Sequence, residues 1–117
     1  MRIILTILLL TNLLYPQSFG QNKVQYESFD WEYIVSPNTN IYYYGDNKDL
    51  AIFTSKVAER SIEQIGKHLR WRSNKPIKII VYTSHNDFQQ TNVVNVYMSE
   101  GVGGVTELYK NRIVIPF

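Results

Sequence analysis

The chain has 117 residues, with twelve Lys and Arg against ten Asp and Glu and no cysteine. That bounds it to one small domain, with no disulfide staple in any compartment. Charges of both signs are interspersed without a run of one sign, so the linear sequence offers no polybasic tract for nucleic acid or for an anionic membrane surface.

The first twenty residues read as a secretory signal peptide. Arg2 supplies the positive start, Ile3 to Leu14 is an apolar run, and Ser18 and Gly20 are small residues at −3 and −1 of a cut before Gln21. Twelve helical residues reach roughly 18 Å against about 30 Å of hydrocarbon, which argues against a stable membrane span. No cysteine follows the run, so a lipid-anchored form is excluded. The expected mature chain is 21–117. Without Arg2 it carries eleven Lys and Arg against ten acids, a net charge of +1. The expected location is secreted, or periplasmic and in the cell envelope.

After a polar, extended lead from Gln21 to Asp30, Trp31 to Val35 is aromatic and β-branched and predicts a first strand. Ser36-Pro37-Asn38-Thr39 has the composition of a turn. Asn40 to Tyr44 predicts a second strand, hairpinned with the first. Gly45-Asp46-Asn47 breaks it and provides a helix N-cap.

A helix is predicted from about Lys48 to Arg70. Leu50, Phe53, Val57, Ala58, Ile62, Ile65 and Leu69 recur at three- and four-residue steps and define the expected buried stripe. Lys48, Lys56, Glu59, Arg60, Glu63 and Lys67 fall on the expected solvent side. Gly66 costs about 1 kcal/mol relative to Ala, and its small size suits close approach of another element. Ile65→Asp is expected to unfold the domain and Glu63→Ala to do little.

Lys75 to Phe88 organises the rest. Ile77 to Tyr82 is too continuously apolar for a half-wet strand and predicts a central one covered on both faces. Ser84 then caps a short helix, with Asp87 three residues on in the capping-box position. Val93 to Met98 is either a strand or an extended loop. Gly101 to Gly104 is followed by Val105, Thr106 and Leu108, a turn at Lys110-Asn111, and a last strand from Arg112 to Ile115. The ending at Pro116-Phe117, on a bulky apolar residue, reads as a cut in a longer protein.

No catalytic set is complete. His68 and His85 are the only histidines, seventeen apart, and belong to no His-Glu-x-x-His pair, so a three- or four-ligand metal site is not predicted. There is no Gly-x-Ser-x-Gly elbow and no Ser-His-Asp set. Ser84 and Asp87 are explained by capping. Gly101 to Gly104 lacks the Gly-Lys-Ser/Thr ending of a phosphate loop. Tyr42, Tyr43 and Tyr44 suggest a ligand platform, but in a strand they alternate faces, and sheet packing is the expected use.

Several strings together resemble the opening of a secreted bacterial protein type. They are Ile41-Tyr42-Tyr43-Tyr44-Gly45, Ala58-Glu59-Arg60, Ser84-His85-Asn86-Asp87-Phe88-Gln89-Gln90-Thr91-Asn92-Val93, Gly101-Val102-Gly103-Gly104-Val105-Thr106-Glu107 and Asn111 to Phe117. Proteins of this type begin with a peptidase-MA-like (gluzincin) domain and continue into a TolB-like β-propeller of WD40/PD40 repeats. The resemblance covers nearly all of the expected mature chain. It implies a zinc site built on a helix bearing His-Glu-x-x-His with a further Glu. None of those residues is present, so no catalytic or metal residue carries over. In zincins the substrate pairs with an edge strand beside the cleft, which implies that Gly103, Gly104, Val105 and Thr106 are the substrate-binding edge.

The expectation is therefore an α+β fold, a small mixed or antiparallel sheet with one long helix packed on it, as a truncated zincin-like N-terminal subdomain. It would be the substrate-side half of a zinc-peptidase-like domain, inactive alone. No cofactor is expected in this segment, with zinc a possibility in a longer protein. The expected partners are a peptide or protein and the remainder of its own chain. The rival is a non-catalytic extracytoplasmic binding or scaffold module of a TolB-like propeller protein.

Overall fold

The computed structural model describes residues 23–94 and 96–117. The expected signal peptide lies outside them. The elements are β1 (Trp31–Val35), β2 (Thr39–Tyr44), α1 (Lys48–Leu69), β3 (Ile77–Tyr82), α2 (His85–Gln89), β4 (Val105–Glu107) and β5 (Arg112–Pro116). They form an α+β fold around one five-stranded sheet of order β1-β2-β3-β5-β4.

The sheet is mixed. β1 and β2 form the expected antiparallel hairpin, with Trp31 opposite Tyr44 and Val35 opposite Asn40. α1 then carries the chain back so that β3 lies parallel to β2. β5 is parallel to β3, and β4 returns antiparallel to β5. Parallel neighbours need such crossovers, which is why the apolar β3 sits mid-sheet, with Ile79 and Val81 buried under α1. On its other face Tyr82 is buried but Ile80 is half-buried and Lys78 exposed, so the expected cover on both faces is incomplete. Residues 93–98, insofar as they are described, contain no strand.

Alternation along the strands divides the core in two. Ile41, Tyr43, Ile79 and Val81 point to one face and pack with Ala51 of α1. Tyr82 and Val114 point to the other and pack with Phe88 of α2 and Met98, with Phe29, Tyr44 and Ile80 around them. Phe88 and Val114 are fully buried, so five-residue α2 is held by this packing and by its cap. The Ser84 hydroxyl accepts from the Asp87 N–H at 3.0 Å. The Asp87 carboxylate does not close a capping box. It accepts the Tyr44 hydroxyl at 2.5 Å, joining α2 to β2.

The buried stripe of α1 differs from the expected one. Leu50 and Ala58 pack on the sheet as predicted, but the buried residues are Ala51, Thr54 and Ser55. Phe53, Val57, Ile65 and Leu69 are exposed. Small side chains let the helix lie close over β2, and polar contacts fix it there. Ser55 bonds the Ser36 hydroxyl at 2.5 Å, and Glu59 accepts from the Asn38 side chain at 2.8 Å and the Thr39 hydroxyl at 2.9 Å. Glu59, expected on the solvent side, is an anchor on the sheet side. Ile65→Asp is accordingly no longer expected to unfold the chain.

The ends of α1 also have local causes. Asn47 makes no side-chain cap, and its amide donates instead to the Tyr44 carbonyl at 2.9 Å. At the other end Arg70 is left-handed with φ 51°, and the Trp71 N–H returns to the Gly66 carbonyl at 3.0 Å. A Cβ at Gly66 would lie 2.8 Å from the Trp71 carbonyl oxygen. The close approach expected at Gly66 is made by the chain's own return.

Candidate functional site

Gly103 to Thr106 enters and forms the β4 edge of the sheet. Val105 opposes Val114, Thr106 opposes Ile113 and Glu107 opposes Arg112. Among the described residues no strand pairs with the outer side of β4. Val105 packs against the second apolar cluster, whereas Thr106 is exposed.

The two glycines differ. Gly103 has nothing within 4 Å of the place a Cβ would take. Gly104 has φ +153°, and a Cβ there would meet the Ile115 Cγ2 at 2.9 Å and the Val114 carbonyl oxygen at 3.0 Å. Gly104 thus lets β4 start flush against β5, since no other residue fits this conformation and this gap. The end of β4 is fixed by charge. Glu107 holds the Arg112 guanidinium through both Nε and Nη2, and lies 3.2 Å from the Lys110 ammonium. Burial favours the neutral acid, but the bonds from Arg112 and Lys110 outweigh it and hold the Glu107 carboxyl below the usual range.

Beside this edge, on the sheet face opposite α1, lies a hollow of about 570 Å³. Trp31, Tyr42, Ile80 and Arg112 form its floor, and Gln25, Asn92 and Lys110 stand at its rim. Tyr42 stacks on exposed Tyr33 with ring centroids 5.6 Å apart and planes at 28°. Trp31 meets Tyr44 and Tyr82 edge-on at 5.1 and 5.5 Å. α2 and the chain after it cover only the upper part of this face, leaving aromatic rings beside amides and cations, a mixture common in ligand and peptide sites.

The tyrosine run is therefore divided. Tyr43 packs under α1, and Tyr44 packs in the second cluster. Only Tyr42 faces the hollow. Strand alternation alone placed Tyr42 and Tyr44 on one face. Pairing them with Tyr33 and Trp31 needs the hairpin register, and Arg112 joins only through the β3–β5 pairing. The hairpin is local in sequence, but the β3–β5 pairing joins residues more than thirty apart and is not.

The histidines are far apart in role as well as place. His68 bonds the Gln64 carbonyl at 2.8 Å on the exposed end of α1. His85 meets the Phe88 ring edge at 5.6 Å, and its Nε2 lies 3.3 Å from the Met98 carbonyl oxygen. Among the described residues, no three His, Cys, Asp or Glu side chains converge as a metal site. No described helix is long and apolar enough to cross a membrane. The chain matches no family model, no curated protein and no solved structure.

Proposed function

We propose that this chain is the substrate-side, N-terminal part of a secreted zinc-metallopeptidase-like domain and binds an extended peptide along β4. The supporting observation is the edge itself. β4 is short, runs antiparallel to β5, lacks an outer neighbour among the described residues, and is preceded by Gly103, which puts no side chain into the open space beside it. An edge of this kind pairs with an added strand through backbone groups. The neighbouring hollow gives the peptide's side chains an apolar and cationic surface.

In this reading the zinc-bearing helix belongs to a continuation beyond Phe117, and this segment does not cleave peptides alone. The exposed Phe53, Val57 and Ile65 give such a continuation a face of α1 to cover. The open aromatic floor also favours a second reading, a non-catalytic extracytoplasmic binding module, in which the same surface holds a partner without cleavage.

A proline scan tests the edge. In an antiparallel strand successive N–H groups turn alternately inward and outward, so one of Val105→Pro and Thr106→Pro removes a donor turned away from β5. That variant should keep most of its melting temperature yet lose affinity for extended peptides in the longest chain that can be expressed. Unchanged peptide affinity in both variants would sink the edge. Stoichiometric zinc in 21–117 alone would sink the division of labour. A continuation without the His-Glu-x-x-His helix would leave the binding module as the answer.

A further inference from the structure

We propose that the end of the sheet where β2, β3 and β5 begin is a peripheral docking surface for an anionic lipid bilayer. This does not rest on the peptidase reading. The first observation is a mismatch of lengths. α1 has 22 residues and so is about 33 Å long, whereas a six-residue strand reaches about 20 Å. Glu59 already lies level with Thr39, the first residue of β2. The ten residues of α1 that follow Glu59, about 15 Å of helix, run on beyond that level. Leu69 and Trp71 at its tip are 68% and 52% exposed.

The β4–β5 turn ends at the same side. Lys78 donates its N–H to the Asn111 carbonyl at 3.2 Å, and the Asn111 amide donates to the Pro76 carbonyl at 3.1 Å. Leu108 and Tyr109 at the tip of that turn are almost wholly exposed. Two separate apolar tips thus project from one end of the molecule.

The second observation is charge. No Asp or Glu occurs from Gln64 to Asn86, while Lys67, Arg70, Arg72, Lys75 and Lys78 do, all exposed. Lys110 joins them from the turn. Of the acids at this end, Glu63 pairs with Lys67 and Glu107 with Arg112 and Lys110, while Glu59 is turned inward onto Asn38 and Thr39 and leaves the cations in excess. Asp30, Asp46, Asp49 and Asp87 flank the opposite ends of the strands and helices. The cations from Lys67 to Lys78 are already contiguous in the chain, and the fold adds Lys110 to them while placing those four aspartates at the other end. The resulting field turns this end toward an anionic surface.

Together these features fit lipid better than a folded partner. Trp, Tyr and Leu on separated tips enter a fluid headgroup layer without needing a matching pocket, and Lys and Arg around them meet lipid phosphates. A nucleic acid would use the cations but leave Leu69 and Leu108 idle.

Sedimentation with phosphatidylcholine vesicles, with and without phosphatidylglycerol, tests the proposal. The full 117-residue chain and the form starting at Gln21 are both used, so that insertion of Ile3 to Leu14 is read separately. The shorter form should bind the phosphatidylglycerol vesicles and be released by salt. Arg70→Gln and Arg72→Gln should each weaken binding about fivefold. Lys48→Gln with Lys56→Gln should not weaken it. Leu108→Ser with Tyr109→Ser should lower binding without lowering the melting temperature. Because the chain has no cysteine, a polarity-sensitive dye on Tyr109→Cys should report lipid, and the same dye on Asp46→Cys should not. Any of four results overturns the proposal: no preference for phosphatidylglycerol, equal loss from the Lys48 and Lys56 pair, a lipid signal from Asp46→Cys, or tighter binding to duplex DNA or polyglutamate than to the vesicles.

Discussion

The Glu59 carboxylate accepts the Thr39 hydroxyl at 2.9 Å across the seam between α1 and β2. The same oxygen accepts the Asn38 N–H at 3.0 Å, and the other accepts the Asn38 amide. Thr39 is fully buried, so removing the carboxylate strands a hydroxyl that water cannot reach. Glu59→Ala should therefore cost about 2–3 kcal/mol, read by urea unfolding. A loss no larger than that of Glu63→Ala would mean the seam does not hold the helix.

Acid should weaken the same contact. Burial favours the protonated form of Glu59, but the bonds from Asn38 and Thr39 outweigh it and hold the carboxyl below its usual range. A group depressed in the folded state contributes stability above its unfolded value and loses it as pH falls through the folded one. From about pH 5 down to about pH 3, the wild-type melting temperature should fall more steeply than that of Glu59→Gln, which lacks this titration. Parallel curves would remove Glu59 from the acid response.

The two sides of α1 should respond oppositely to charge. Ala51 is 0% exposed and packs on Ile41 and Ile79, so Ala51→Asp should unfold the domain. Ile65 is 53% exposed and lies on the part of α1 that follows Glu59, so Ile65→Asp should cost no more than about 1 kcal/mol. Thermal melts of the pair decide it, and similar shifts would put the buried stripe elsewhere.

Gly66→Ala should go against helix propensity. In an open helix the change gains about 1 kcal/mol. Here the new methyl would sit 2.8 Å from the Trp71 carbonyl oxygen, a backbone atom held by its own N–H bond to Gly66. The expected result is a net loss of about 1–3 kcal/mol, the usual cost of overpacking. A raised melting temperature would show that the return loop shifts freely.

These cases show which parts of the fold were legible. Strand and helix positions were, because Ile77 to Tyr82 and the period of α1 are local patterns. The facing of α1 was not. Periodicity finds large apolar residues, whereas this interface uses Ala51, Thr54 and Ser55 for closeness and Glu59 for bonding. Parallel pairing of β3 with β2 and β5 was also hidden, since it joins residues far apart in the chain. That pairing brings Ile80 and Arg112 beside Tyr42 in the hollow, which Trp31 joins through the hairpin. The edge position of β4 follows from the order of the whole sheet and not from its three residues.

The last prediction separates the two glycines before β4. Gly103→Ala adds a methyl into open space, with no neighbour within 4 Å, and should leave stability within about 0.5 kcal/mol. Gly104→Ala forces a side chain into a φ of +153° and against the Ile115 side chain and Val114 carbonyl. Strain and overlap together should cost roughly 1–3 kcal/mol, or about 4–8 °C per kcal/mol in a domain of this size. Because β4 is an edge, the damage should be local. Amide exchange should speed up at Val105 to Glu107 and at the facing residues of β5, while protection at Ile41 and Val81 persists. Uniform loss of protection across the sheet would make β4 part of the cooperative core. An unchanged exchange pattern would mean that Gly104 does not set the approach of β4 to β5.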